Sequence, residues 1–373
     1  MHRDTLIVHA GYRKRSTPGP FLAGPQFSST YTTPGDPSRH AFTYGRFHNP
    51  TWDAWEEALG TLEGGHAVAF ASGMAAVAAV LGINLKPGDV LVLPADGYYA
   101  IRRLASSWLT SIGIEVRLVP TRGNAQGSAL DGARLLWLET PSNPLLDVCD
   151  IRGLADEARA RGITVVVDNT TATAYLQQPL ALGATFVVAS DTKALTGHAD
   201  LLLGHVATTD PAHAETLRAW RTHHGAIPGP MEVWLAHRSL PTLPLRVSRQ
   251  CSSAERLAAL LASRPDVAAV HYPGLPGHPG HDVAQRQMQR FGTIVSFDLG
   301  TRARADAFLG ALTLVREATS FGGVHSLAES RARWGGDAIS EGFIRFSVGC
   351  ETPEDILADV AAGLEAAATP EPR

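Results

Sequence analysis

Residues 165–206 read VVVDNTTATAYLQQPLALGATFVVASDTKALTGHADLLLGHV. Three short apolar runs stand in this stretch, and two of them end in polar groups: Asp168-Asn169-Thr170 and Ser190-Asp191-Thr192-Lys193. Continuous β-branched runs of this length predict strands buried on both faces, as in a parallel sheet covered by helices. Ligands of such sheets sit at the carboxyl ends of the strands, so the polar groups fall where chemistry belongs.

The same pattern continues outward. VLVLPA (90–95) and ARLLWLET (133–140) read as further strands, and IRGLADEARARG (151–162) reads as an intervening helix. Upstream, WDAWEEALGTLEG (52–64) predicts an amphipathic helix closed by Gly64 and Gly65, followed by the buried strand AVAF (67–70). Downstream, the order is helix (248–267), strand (292–300), helix (302–315), strand (342–349) and helix (353–368), a smaller α+β unit. The fold class is therefore α/β, with a large domain over 49–237 built on a mostly parallel sheet and a small C-terminal domain over 238–373. Residues 1–48 hold Pro18, Pro20, Pro25, Pro34 and Pro37 and predict an extended N-terminal arm.

Composition narrows the function. At 373 residues the chain exceeds one compact core. Hydrophobic residues make up 45% and charged residues 18%, the balance of a packed, soluble protein. The net charge of −4, with no run of Lys and Arg interleaved with aromatics, argues against nucleic acid as a partner. No apolar stretch reaches the roughly 18 residues of a membrane span, and the polar start MHRDTLIVHAGYRKRSTPG does not read as a signal peptide. A cytoplasmic location is expected. Cys149, Cys251 and Cys350 are isolated and suggest no disulfide framework. His278 and His281 in HPGH lie in a Pro- and Gly-rich loop without further ligands, so no metal is expected.

Asp168 and Lys193, at the ends of successive strands, form a pair that pyridoxal 5′-phosphate (PLP) chemistry requires. A lysine amine forms a Schiff base with the cofactor aldehyde, and a carboxylate beside the pyridine nitrogen keeps the ring protonated. Ser190 and Thr192 offer hydroxyls to a phosphate, as does the turn Ser72-Gly73-Met74, where backbone N–H groups open a helix. Tyr98, just after VLVLPAD, is placed to lie on a ring, and Asn143 to bond the cofactor's phenolic oxygen.

Along nearly its whole length the chain resembles the Cys/Met-metabolism PLP-dependent enzymes, the trans-sulfuration family that includes cystathionine γ-lyase. The resemblance rests on YGRFHNPT (44–51), ASGM (71–74), ETPSNP (139–144), DNT (168–170), SDTKALTGHAD (190–200), HRSLPTLPLR (237–246), YPGL (272–275), TSFGGVHS (319–326) and IRFSVG (344–349). It implies the fold of type I PLP-dependent transferases. Lys193 is then the Schiff-base lysine and Asp168 the pyridinium partner. Ser72, Gly73, Met74, Ser190 and Thr192 hold the phosphate, and Tyr98 stacks on the ring. The family's tetramers share sites between two subunits, which implies that Tyr44 and Arg46 serve the neighbour. Arg345 matches the arginine that grips the substrate carboxylate, with Asn143 and Ser320 beside it.

Departures from the family pattern gather near the substrate. Tyr99-Ala100-Ile101 replaces the common Gly-Gly-Thr, Phe321 stands where Leu or Trp is usual, and His325 where many γ-type members carry Glu. His325 and Phe321 are thus candidate substrate contacts: His325 weakens the case for the distal ammonium of cystathionine or meets a different distal group, and Phe321 with Tyr99 suggests a more apolar pocket or simple packing. The expected activity is α,γ-elimination of a cystathionine-like thioether amino acid, with β-elimination and γ-replacement as alternatives. A PLP-binding regulatory protein is the non-enzyme alternative.

Overall fold

The computed structural model describes residues 1–12 and 18–368. Seven strands form the larger sheet: β1 (His66–Phe70), β2 (Val90–Pro94), β3 (Glu115–Val119), β4 (Leu135–Glu139), β5 (Thr164–Asp168), β6 (Phe186–Ala189) and β7 (Gly204–Thr208), in the order β1-β7-β6-β5-β4-β2-β3. All neighbouring pairs are parallel except those of β7, which runs antiparallel to both β1 and β6. The run LLLGHVA supplies β7, the one strand that departs from the parallel order. The connection 190–203 folds into turns around Lys193 and holds no helix to carry the chain across the sheet, and the chain turns back.

Both faces of this sheet are buried, which explains its continuous apolar runs. Val68, Phe70, Val166 and Val188 pack under the helices Gly73–Asn84 and Pro211–His224, whereas Ala67, Ala69 and Val187 face Trp52 and Trp55 of the helix Pro50–Glu63. On β5 the alternate residues Val165 and Val167 join a separate cluster with Ile151, Leu154 and Ala158 of the helix Ile151–Ala160.

A second sheet of five strands has the order β10-β11-β12-β9-β8: β8 (Ala269–His271), β9 (Ile294–Asp298), β10 (Arg316–Glu317), β11 (Leu327–Ser330) and β12 (Phe343–Ser347). Its apolar face, with Val295, Phe297, Ala328, Ile344 and Phe346, is covered by the helices Leu243–Ala262, Arg302–Ala311 and Pro353–Ala368. The other face is polar. Glu329, Arg345 and Ser296 lie side by side across β11, β12 and β9, because the pleat sends alternate residues to opposite faces. This polar face meets the loop after β4: Ser296 Oγ donates to Pro144 O at 2.8 Å, and Arg345 Nη1 donates to Asn143 Oδ1 at 2.8 Å.

The N-terminal arm is not extended throughout. Arg3–His9 is a helix whose Ile7 is buried in the same cluster as Trp55, and His237 Nε2 lies 2.8 Å from Ala10 O. Of the three consecutive apolar residues Leu6, Ile7 and Val8 only Ile7 is buried, so the run carries no helical period that would mark this short helix in the sequence. Residues 18–48 run largely without regular structure, with a short helix at Pro37–Arg39 and one bridge between Thr30 and Tyr44; residues 13–17 lie outside the described part.

Candidate active site

Because β4, β5 and β6 are parallel neighbours, their carboxyl ends lie level, with Glu139 opposite Asp168 and Asp168 opposite Val188. A tight turn follows β6, closed by Lys193 N on Ser190 O at 3.2 Å and braced by Thr192 Oγ1, which bonds the N and O of Leu203. Ser72, Gly73, Met74, Tyr98, Asn143, Asp168, Ser190, Thr192, Lys193 and Phe321 all line one cavity of about 200 Å³. Ten of the residues expected from sequence thus come together. A wider cleft of about 900 Å³ shares Thr192, Lys193, Leu202 and Phe321 with this cavity and adds Ser320.

One end of the cavity is shaped for an anion. Gly73 and Met74 occupy the first turn of a twelve-residue helix, where backbone N–H groups have no intrahelical acceptor and the helix dipole favours negative charge. Ser72 Oγ caps that helix by accepting from Ala75 N at 3.1 Å. A Cβ on Gly73 would fall 2.8 Å from Ser190 Cβ, so glycine is needed for the approach of the two phosphate-side segments. At the other end, Asp168 Oδ1 accepts from Thr170 N at 3.0 Å and Thr170 Oγ1 at 2.6 Å, while its Oδ2 takes no bond from the described residues. This buried, half-satisfied carboxylate fits a protonated ring nitrogen, so the donor set suits PLP.

Electrostatics follow from burial. The Lys193 amine is pushed down to about 8, by desolvation first and then by the charge of Arg345, and its Nζ donates to Ser320 Oγ at 2.8 Å. An amine so depressed is available as a base near neutral pH. Desolvation also raises Asp168, against the two bonds from Thr170. Glu139, which sequence analysis did not single out as a site residue, is held well above the usual carboxylate range by burial and then by Asp168. It accepts from Tyr98 N at 2.6 Å and Asn143 N at 3.0 Å and so fixes both loops that flank the cavity. Its place at a strand end was the available signal. Thr170 and Thr171 also line the cavity; Thr170 shared the strand-end signal of Asp168-Asn169-Thr170 without being given a task, and Thr171 carried none.

Arg345 is buried, with Nη2 donating to Ser320 O at 3.0 Å and to Glu329 Oε1. Three of the five N–H donors of a guanidinium are thereby used, leaving two for a ligand. Phe321 stacks between cations: its ring centroid is 5.3 Å from both Lys193 Nζ and Arg345 Cζ. Tyr99 meets Tyr98 edge-on at 5.1 Å but is exposed and does not line the cavity.

The structure places three of the expected residues away from the cavity of this chain, and for Tyr44 and Arg46, expected in the neighbour's site, that is no contradiction. His325 is exposed and lies outside the cavity, because Gly322 turns the loop tightly against Ala194 and Val324 N bonds Gly197 O at 2.9 Å, carrying the chain away. Tyr44 and Arg46 do not reach the cavity of their own chain; Arg46 Nη1 donates to Thr222 O at 2.8 Å and its guanidinium packs on Tyr44 and Phe47. Among the described residues no His, Cys, Asp and Glu cluster could hold a metal, and His278 instead accepts from Gly280 N through Nδ1.

Beneath the Lys193 turn lies a buried charge triad absent from the sequence reading. His205 Nδ1 is 2.6 Å from Asp191 Oδ1, and its Nε2 is 3.1 Å from Glu63 Oε1. Burial alone would lower this histidine, but the two carboxylates raise it from 6.5 to about 10. Its stabilising contribution is therefore complete below pH 6.5 and is lost as the pH rises towards about 10. His205→Ala is expected to cost about 3–5 kcal/mol, the penalty for leaving buried charges unpaired. Urea midpoints measured across that window check this; a wild-type midpoint that does not fall, or one the variant shares, would contradict it.

Comparison with known proteins agrees with this geometry. The chain is 54% identical over 366 residues to a Streptomyces coelicolor protein named, provisionally, a cystathionine gamma-lyase, covering 97% of this chain and 93% of that one. It is 38% identical to the cystathionine gamma-lyase of Bacillus subtilis, covering 98% and 100%. The solved structure of cystathionine gamma synthase from Xanthomonas oryzae pv. oryzae, in complex with cystathionine, superimposes with a TM-score of 0.95 at 35% identity over the whole of both chains. Residues 4–365 match the family model for Cys/Met metabolism PLP-dependent enzymes, and the chain belongs to that family.

Proposed function

We propose that the chain catalyses α,γ-elimination of a cystathionine-like thioether amino acid, releasing a 2-oxo acid, ammonia and a thiol. The observation that carries the reading is the Lys193 amine: depressed to about 8, it sits at the junction of the cavity and the cleft and is tethered only to Ser320 Oγ among the described residues. Elimination at Cγ needs one base that removes a proton at Cα and then moves protons at Cβ, and a lysine on a flexible stem reaches both.

When bound, PLP supplies an electron sink for the negative charge that develops at the substrate Cα. Asp168 holds the ring nitrogen protonated, and Tyr98 packs on the ring. Gly73, Met74, Ser190 and Thr192 hold the phosphate, with Ser72 fixing the helix that presents it. Arg345 takes the substrate carboxylate with its two remaining donors, beside Asn143 and Ser320. Phe321 closes the apolar side.

The sites belong to a homotetramer in which Tyr44 and Arg46 complete the neighbour's pocket. Tyr44 is 43% exposed and Leu202, on the rim beside Lys193, is 67% exposed, apolar surface that a second copy would cover. The three cysteines are free, which suits the reducing cytoplasm, and no helix among the described residues is long and apolar enough to cross a membrane.

Incubation of the PLP-loaded protein with L-cystathionine and mass analysis of the products tests the reaction. Cysteine with 2-oxobutyrate is expected. Pyruvate with homocysteine would replace the reading by β-elimination. Turnover only when O-acylated homoserine and cysteine are supplied together would replace it by γ-replacement, and no turnover of any of them would favour the regulatory protein.

A further inference from the structure

Arg345 is the last link of a ring of polar contacts that passes through Tyr98, Glu139 and Asn143, which line the cavity. Its partner across the strand pair, Glu329, is 1% exposed and also accepts from Arg331 Nη1 at 3.3 Å and Trp334 Nε1 at 2.8 Å. Arg331 Nη2 donates to Asp337 Oδ2 at 2.8 Å. Asp337 in turn accepts from Arg102 Nη2 at 2.5 Å. Arg102 Nε then donates to Gly97 O at 2.9 Å, in the turn that carries Tyr98. The ring closes through Tyr98 N and Asn143 N, both on Glu139, and through Asn143 Oδ1 back to Arg345.

Segments from both sheets are thus joined by ionised groups that are mostly shielded from water, Asp337 at 5% and Arg331 at 6% side-chain exposure. Shielded, charge-assisted pairs hold geometry better than exposed ones. A carboxylate shared between Arg345 and Arg331 also fixes which donors of Arg345 stay free. We propose that the Arg102–Asp337–Arg331–Glu329 chain is a positioning device that orients Arg345 for the amino-acid carboxylate and registers it against the Tyr98 turn. The inference rests on the reading of Arg345 given above.

The alternative is a network that only stabilises the fold, and two probes separate the two. Glycine carries the carboxylate and methylamine lacks it; both are titrated into the PLP-loaded enzyme and followed by visible absorption. For Asp337→Asn, glycine affinity is expected to fall about tenfold while methylamine affinity stays within twofold. Arg102→Gln, which breaks the same link from the other side, should match it and should add nothing to Asp337→Asn in the double variant. Unchanged glycine affinity, or equal weakening of both probes, overturns the positioning role. Arg345→Lys is the control for the underlying reading: if glycine affinity is unaffected there, the carboxylate assignment fails and takes the inference with it. If Arg345→Lys weakens glycine and neither relay variant does, only the positioning role falls.

Discussion

Lys193→Ala is expected to abolish turnover, leaving at most about 10⁻⁴ of wild-type activity, the upper end of what a positioned acid–base group contributes. The fold should survive, because the amine has one polar partner among the described residues, Ser320 Oγ, and the turn is held by backbone bonds and Thr192. Activity within tenfold of wild type, in protein that melts normally, would remove Lys193 from the mechanism. The same variant tests the shared site. Mixed with Arg46→Ala under conditions that exchange subunits, it should restore about a quarter of wild-type activity, since half the random dimers are mixed and each has one intact site. No recovery would mean that each chain supplies its own site, against the exposure of Tyr44 and the contact of Arg46 with Thr222 O in its own chain.

Asp168→Asn is expected to lower kcat/KM by about 10²-fold, the scale of a lost hydrogen bond to a charged group. The substitution preserves shape, and Thr170 can still donate to the amide oxygen, so the effect reads the charge alone. The pH profile carries a second signature. Burial raises Asp168 above its ordinary value of 3.8 in the cofactor-free protein, so the acid limb of PLP binding to that protein should fall at a higher pH than a free carboxylate would give, as the group takes up its proton. Asn cannot titrate, and the variant should lose that limb. A variant within twofold of wild type at neutral pH would show that the ring nitrogen does not depend on Asp168.

Much of the site was legible because chemistry at strand ends leaves a linear trace: Asp168 and Lys193 each close an apolar run, and the order of the runs places them side by side. Strand direction left no such trace. Nothing in LLLGHVA says that β7 returns antiparallel; its direction is set by the turns of the connection that carries Lys193. Arg331, Arg333 and Asp337 read as an ordinary charged loop, since ion pairing across the sheet register is a property of three dimensions. Glu139 was quoted within a motif yet given no task, because a buried carboxylate that organises backbone N–H groups is indistinguishable in sequence from a solvated one. His325 misled in the opposite sense: its position in the motif suggested contact with substrate, and the turn at Gly322 carries it into solvent.

The two faces of the smaller sheet have a consequence for how the molecule can diversify. The residues assigned to PLP come from the larger sheet, while Arg345, Glu329 and the loop beyond them hang from a sheet whose apolar side is packed independently. Selection can therefore rewrite the substrate-facing half by exchanging side chains on one polar surface, leaving cofactor affinity and both cores intact. A laboratory library on that surface that spares Ser320, Phe321, Ala328 and the Glu329–Arg331–Asp337 chain would explore new leaving groups without first having to rebuild the catalyst.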